Sequence, residues 1–224
     1  MAIILSIETA TTNCSVALSE QGKTIAVIED YDKGYSHAER LHVYIDRILH
    51  ENNIKKSQLD AIAVSKGPGS YTGLRIGVSA AKGLAYALEK PLIAVSTLES
   101  LSRQVNVEDG YIVPMLDARR MEVYSAVFNA DFSLSREIKA EVLEENSFQE
   151  YLKKDKVYFI GNGVEKTKTI INNPNAIFIE GKLPSANEMG GIAYKKYQAN
   201  NTEDVAYFEP YYLKDFVALK SNKV

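Results

Sequence analysis

Tyr111-Ile-Val-Pro-Met-Leu-Asp117 is a short apolar run that stops at a carboxylate. A continuous run of this length predicts a strand buried on both faces. The same device opens the chain, where Ile3-Ile-Leu-Ser-Ile7 runs into Glu8. The sequels match as well. After Glu8, the polar stretch Thr9–Asn13 turns the chain into Cys14-Ser-Val-Ala-Leu18, and Gln21-Gly-Lys23 turns it again into Thr24-Ile-Ala-Val-Ile28. After Asp117, Ala118-Arg-Arg120 leads into Val123-Tyr-Ser-Ala-Val-Phe128, and a further strand is predicted near Ile138–Val142. Each set reads as a three-stranded meander. The pattern therefore restarts at residue 111, and this restart decides the fold class.

Helices and single strands follow each meander. Ser36-His-Ala-Glu39 is a capping box, in which a hydroxyl meets free helix N–H groups and a Glu three residues on bonds back. Leu41, Tyr44, Ile45, Ile48 and Leu49 then recur at helical spacing. Leu59–Val64 predicts a strand, Tyr71–Leu88 a second helix with Ser70 as its N-cap, and Leu92–Val95 another strand. Ser96-Thr-Leu-Glu99 caps a short helix. In the second half, Ser147-Phe-Gln-Glu150 predicts a short capped helix, Val157–Ile160 and Ala176–Ile179 predict strands, and Ser185-Ala-Asn-Glu188 opens a helix to about Ala199. Mixed strands with alternating helices predict two α/β lobes, residues 1–104 and 105–224, each a mixed sheet under helical cover.

Composition narrows the function. The chain has 224 residues, 46% apolar and 25% charged, with a formal net charge of −3. That is an ordinary globular composition. Tight, unaided binding of nucleic acid usually needs a basic excess, which this chain lacks. The single cysteine, Cys14, excludes a disulfide framework and a cysteine-based zinc site within the chain, and its place in a strand predicts core packing. The opening apolar run is too short for a signal peptide, and no run approaches the ~18 residues of a membrane span. A cytoplasmic protein without a membrane partner is expected. Fourteen tyrosines stand beside no tryptophan, and most are expected at half-buried positions.

Four groups of residues could carry chemistry. Gly67-Pro-Gly69-Ser-Tyr-Thr-Gly73 joins a strand to a helix, a place where backbone N–H groups can meet an anion. Its spacing fits neither a dinucleotide fingerprint nor a Walker loop, and a plain tight strand-to-helix turn is the reading the spacing favours. Gly73, Gly77 and Ala81 fall four apart on one face of the second helix. Glycine inside a helix costs about 1 kcal/mol against alanine, so a close neighbour is expected to compensate: the helix starting at His37, or a second chain. The three histidines, His37, His42 and His50, share one predicted helix at spacings that no single metal can bridge. Glu8 and Asp117, at the two strand ends, could face a cleft and hold a metal-nucleotide or act as acid and base. With Thr9, Gly67 and Gly69 they are the candidate cofactor-binding residues. No catalytic residue and no metal ligand is assigned.

Gly67-Pro-Gly-Ser-Tyr-Thr-Gly-Leu-Arg-Ile-Gly77 strongly resembles the TsaB (YeaZ) family of bacterial tRNA threonylcarbamoyladenosine biosynthesis. The resemblance extends, in order, over the Glu8-Thr9 and Cys14–Leu18 hairpin, Ser36-His-Ala-Glu-Arg-Leu41, Val95-Ser-Thr-Leu98, Asp117-Ala-Arg-Arg120 with Glu122-Val-Tyr124, and Pro210-Tyr-Tyr-Leu213. It implies a duplicated, actin-like (ASKHA) fold, and a non-catalytic scaffold or dimerisation subunit rather than an enzyme. It implies pairing with the threonylcarbamoyltransferase TsaD, contact with the ATPase subunit TsaE through the complex, a homodimer when alone, indirect contact with tRNA, and no cofactor. TsaD-type relatives carry an H-x-x-x-H metal motif, which this chain lacks, and the family more often has Asp where Glu8 stands. In the family the two N-terminal helices make the partner contact. Carried onto this sequence, that predicts an interface of His37, Leu41, Tyr44, Ile45, Ile48, Gly73, Gly77 and Ala81. The alternative is a small ATPase, kinase or protease of the same fold acting alone, resting on Glu8, Asp117 and the Gly67–Gly73 loop.

Overall fold

The computed structural model describes residues 1–31 and 37–214. Strands β1 (Ile3–Glu8), β2 (Cys14–Glu20), β3 (Lys23–Asp30), β4 (Ala61–Gly67) and β5 (Leu92–Ser96) form one sheet in the order β3-β2-β1-β4-β5. Strands β6 (Tyr111–Asp117), β7 (Glu122–Asn129), β8 (Leu134–Val142), β9 (Val157–Ile160) and β10 (Ala176–Ile179) form the second, in the order β10-β9-β6-β7-β8. Read from its other edge, the second order is the first repeated. In each sheet the opening strand is central, antiparallel to the next strand in sequence and parallel to the fourth. This duplicated arrangement is the pair of mixed α/β sheets expected from the restart at Tyr111, and the two-lobed, actin-like fold that the resemblance implied.

The six α-helices among the described residues are α1 (His37–Glu51), α2 (Tyr71–Leu88), α3 (Thr97–Ser102), α4 (Gln149–Leu152), α5 (Val164–Ile170) and α6 (Met189–Gln198). The α1 stripe Leu41, Ile45, Ile48 packs with Val78, Ala81 and Ala85 of α2 on Leu5, Ile7, Val16 and Leu18, covering one face of the first sheet. The other face, with Ile4, Ala17, Ala61 and Ile93, is covered by Met189, Ile192 and Ala193 of α6. Leu98 and Leu101 of α3 pack on Ile112, Leu116 and Ala126 of the second sheet. Helices α4 and α5 lie on that sheet's opposite face, around Val113, Met115 and Phe159. Each lobe thus lends its last helix to the other's sheet, so packing crosses residue 104 in both directions. The chain returns to the first sheet a second time, where the Glu203 N–H bonds to the Leu92 carbonyl at 2.8 Å and the Tyr211 N–H to the Lys66 carbonyl at 2.7 Å.

Local expectations fared unevenly. Ser70 caps α2 by accepting the Gly73 N–H, Ser96 caps α3, and Ser185 accepts the Asn187 N–H ahead of a 3₁₀ turn that runs into α6. The expected cap Ser36 lies outside the described residues. The Ser147 box does not form as expected: Ser147 accepts the Glu144 N–H, and Phe148, with φ of 59°, precedes α4. Helix α5 was not expected at all. Only Val164 and Thr167 of its seven residues are buried, so Glu165-Lys-Thr-Lys-Thr169 carries no apolar period to read. Cys14 is buried in β2, and burial pushes its thiol up to about 11.

Candidate functional site

The ends of β1 and β6 carry the two expected carboxylates. Glu8 is fully buried, and no ion pair to it exists among the described residues. Its Oε1 accepts the Ala10 N–H at 2.6 Å, while Oε2 is left without a hydrogen bond. The nearby Ser65 hydroxyl is already bonded to Thr97 Oγ1 at 2.5 Å. Burial pushes the Glu8 carboxyl up to about 7, against the opposing pull of the Ala10 N–H, the Ser65 hydroxyl and the Thr9 N–H. Burial thus favours the protonated carboxyl, because a buried carboxylate without a cation is costly.

The turn after Glu8 is sealed by the chain itself. The Thr9 hydroxyl donates to the Gly73 carbonyl at 2.8 Å, and the Ser70 N–H to the Ala10 carbonyl at 2.7 Å. His37 Nε2 lies 2.7 Å from the Thr11 carbonyl, and Asn13 Nδ2 donates to the Pro184 carbonyl at 2.9 Å. A methyl group added at Gly69 would strike Ala10, and one at Gly73 or Gly77 would strike Thr9. Gly67 presses on the Tyr211 carbonyl. Glu8, Thr9, Gly67 and Gly69 therefore do come together, but each is packed against its own chain. The glycine loop is the tight strand-to-helix turn of the bland reading.

Asp117 occupies the equivalent place in the second sheet and, like Glu8, accepts the N–H two residues on, but it differs in exposure and in having a cation. It is exposed, and its Oδ1 accepts the Arg119 N–H at 2.6 Å and pairs with Lys166 Nζ at 2.7 Å. Lys166 also donates to the carbonyls of Arg120 and Glu122, so α5 clamps the β6–β7 turn. Neither Glu8 nor Asp117 lines the cleft that Lys66, Ser96, Glu99, Phe128 and Phe132 form between the sheets.

The expected interface needs a correction. His37, Leu41, Ile45 and Ile48 of α1, and Gly73, Gly77 and Ala81 of α2, are buried inside the chain. Tyr44 is half-buried and donates its hydroxyl to Asp30 at 2.6 Å. The helical period marked the faces that α1 and α2 turn toward their own sheet. The neighbour that compensates Gly73 and Gly77 is Thr9. The outward faces form a shallow groove of about 520 Å³ between the two helices, bordered by Ala38 and His42 of α1 and by Arg75, Ser79, Gly83 and Leu84 of α2. A methyl group added at Gly83 would meet nothing within 4 Å. Ser79, Gly83 and Ala87 are exposed and four apart on this side. The sequence carries this second small-residue spacing beside the Gly73, Gly77 and Ala81 one.

His42 and His50 are exposed on α1, and no cluster of three or more His, Cys, Asp and Glu able to hold a metal occurs among the described residues. No described helix is long and apolar enough to cross a membrane.

Residues 33–221 match the family model described as TsaD, tRNA N6-adenosine threonylcarbamoyltransferase. The tRNA threonylcarbamoyladenosine biosynthesis protein TsaB of Escherichia coli K12 is 32% identical over 97% of this chain and 96% of its own length. TsaB of Bacillus subtilis is 34% identical over 76% of this chain and 75% of its own. The solved structure of YeaZ from Pseudomonas aeruginosa superposes with a TM-score of 0.82 at 27% identity, covering 95% of this chain and all of that one. A relative 32% identical over nearly the whole of both chains shows the family, and the chain belongs to the TsaB (YeaZ) family.

Proposed function

We propose that this chain works in the threonylcarbamoyladenosine modification of tRNA as a non-catalytic cytoplasmic subunit that pairs with a TsaD-type threonylcarbamoyltransferase. The observation that carries the reading is the outer groove of α1 and α2. Helix α2 holds a glycine, Gly83, that no contact inside the chain requires. Such a residue costs about 1 kcal/mol in a helix, and close approach of another helix is the physical reason to keep it. Exposed Val43 on α1 and Tyr86 on α2 supply apolar surface on the outward sides of the same helices. An apolar groove flanked by His42 and Arg75 suits a helix pair from a related chain better than a small substrate. A second copy of this chain can occupy the groove when the catalytic subunit is absent, and TsaE joins through the complex.

The non-catalytic part of the reading rests on the sealed first turn. A phosphate approaching Thr9–Asn13 would have to displace bonds that already satisfy the backbone there, and would meet the buried Glu8.

Size-exclusion chromatography with a purified TsaD-type subunit tests the proposal. Gly83→Leu fills the groove without touching the core, and should weaken co-elution at least tenfold while leaving the circular dichroism spectrum unchanged. Undiminished co-elution of a folded Gly83→Leu protein would sink the groove as the docking face. Turnover of Mg-ATP by the chain alone, abolished by Glu8→Gln, would restore the enzyme reading.

A further inference from the structure

The β6–β7 turn holds two arginines in a conformation that arginine adopts reluctantly. Arg119 has φ of 71° and Arg120 φ of 49°. Side chains with a Cβ crowd the backbone there, which is why hairpin tips of this shape favour Asn and Gly. The chain nevertheless places two bulky cations at consecutive left-handed positions, and builds a support for them. The Asp117 carboxylate accepts the Arg119 N–H, Asn162 accepts the Asp117 N–H at 2.9 Å, and Lys166 holds the carbonyls of Arg120 and Glu122. Both arginine side chains are exposed, and neither has a hydrogen-bond or ion-pair acceptor among the described residues. The two carboxylates that flank the turn in sequence are already taken: Asp117 pairs with Lys166, and Glu122 with Lys214. Burial lifts the Tyr124 phenol above its ordinary value; the charge of Lys214 acts against that, Glu122 adds to it, and Arg119 acts against it.

We propose that the Arg119–Arg120 tip is a phosphodiester contact, through which this subunit grips the backbone of the tRNA held by the assembly. The inference rests on the reading of the chain as a subunit of a tRNA-modifying complex. A guanidinium offers a planar fork of donors that matches a phosphate, so less freedom is lost for each hydrogen bond formed. Lys166 and Lys214 are each matched by a carboxylate, so Arg119 and Arg120 are the cations of the turn left without an ion pair among the described residues. Their field stays local, because Glu144 and Glu145 follow directly after Leu143, whose N–H bonds the Met121 carbonyl. With a net charge of −3, the subunit does not attract RNA by itself, and the tip acts on RNA that its partner has already bound.

The double substitution Arg119→Asn with Arg120→Gly separates this role from folding, since Asn-Gly suits the turn better than Arg-Arg. The variant should melt at a higher temperature than the parent and co-elute with the TsaD-type subunit as before. Its assembly should bind an unmodified tRNA transcript about tenfold more weakly in a filter-binding titration. The slope of log K against log salt should shrink by roughly 1 to 2, the release expected from two phosphates. Unchanged tRNA affinity and slope in a correctly paired assembly would overturn the proposal. So would a variant that keeps its grip on tRNA but loses Mg-ATP, which would assign the arginines to a nucleotide. Failure of the unaltered chain to co-elute with the catalytic subunit would count against the subunit reading instead, and is read before tRNA is added.

Discussion

The two lobes share one strand order and use its central strand end in opposite ways. In the first, Glu8 is buried without a cation, and the turn after it is filled by the glycines of α2. In the second, Asp117 is exposed, paired with Lys166, and followed by an open turn. The helices differ in the same sense. Helices α1 and α2 have 15 and 18 residues, whereas their counterparts α4 and α5 have 4 and 7. Long helices drawn tightly onto the first sheet seal its turn and leave a broad outer face. Short ones cover the second sheet and leave its turn free. On the proposed reading, one copy of the duplicated fold docks a partner and the other presents a tip.

The sharpest way to break this contrast is to loosen the seal. Gly77→Leu would drive a side chain into Thr9, and should destabilise the chain by roughly 3–5 kcal/mol in urea denaturation. Gly83→Leu, six residues on along the same helix, should leave stability unchanged or raise it by about 0.5–1 kcal/mol, since helix propensity alone is altered. Similar losses from both substitutions would mean that α2 does not distinguish a core face from a docking face.

That pair also shows how far the sequence could be read. Most strands are legible as short apolar runs bounded by turn residues, β8 only in its second half because Leu134–Glu137 carries no apolar run, and the duplication is legible because Glu8 and Asp117 end equivalent runs. The faces of α1 and α2 are not. An apolar or small-residue period says that a face is covered, and one chain cannot say by what. Leu41, Ile45 and Gly77 were therefore assigned to a partner when their own sheet covers them. The exchange of α3 and α6 between the sheets was equally hidden, since it depends on contacts such as Met189 with Ile4 that are far apart in sequence. The glycine loop was read correctly as a turn, and its packing against Ala10 could be seen only in three dimensions.

Glu8 supplies the second test, through pH. Its carboxyl is raised from 4.5 to about 7 on folding. Below 4.5 both states hold the proton and burial carries no ionic cost. As pH rises from 4.5 to 7, the unfolded chain releases its proton while the folded chain retains it, so stability falls. Above 7 the full difference is lost, about 3 kcal/mol from the size of the shift. Glu8→Gln keeps an acceptor for the Ala10 N–H and removes the titration. Urea midpoints measured from pH 4.5 to 8 should decline in the parent and stay nearly flat in the variant. Parallel curves would show that Glu8 has a cation or an open path to water, and the contrast with Asp117 would collapse.

Lys166→Met probes the second turn at smaller amplitude. The lysine side chain is largely covered and donates to Asp117, Arg120 and Glu122 at once. Removing it leaves two carbonyls and a carboxylate short of a donor, at a cost of roughly 1–2 kcal/mol where water can replace only part of what is lost. Amide exchange should quicken at Arg119 and Glu122, while the α1–α2 region stays protected. Faster exchange across both lobes would mean that the turns are not independent.

Asp117→Asn should do least. The carboxylate is about half exposed, so its attraction to Lys166 is weakened by solvent and screened further by salt. Asparagine keeps the oxygen that accepts the Arg119 N–H, and the lysine keeps both of its carbonyl acceptors. The expected loss is under about 1 kcal/mol, and it should vanish in 1 M salt. The value of so small an effect lies in its comparison with Glu8. If the two strand-end carboxylates were remnants of one shared nucleotide cleft, neutralising either would change stability alike, because both would feel the same field. A large effect at Glu8 that is set by pH, beside a slight one at Asp117 that is set by salt, is the outcome expected of two carboxylates that face different surroundings and serve different ends of the molecule.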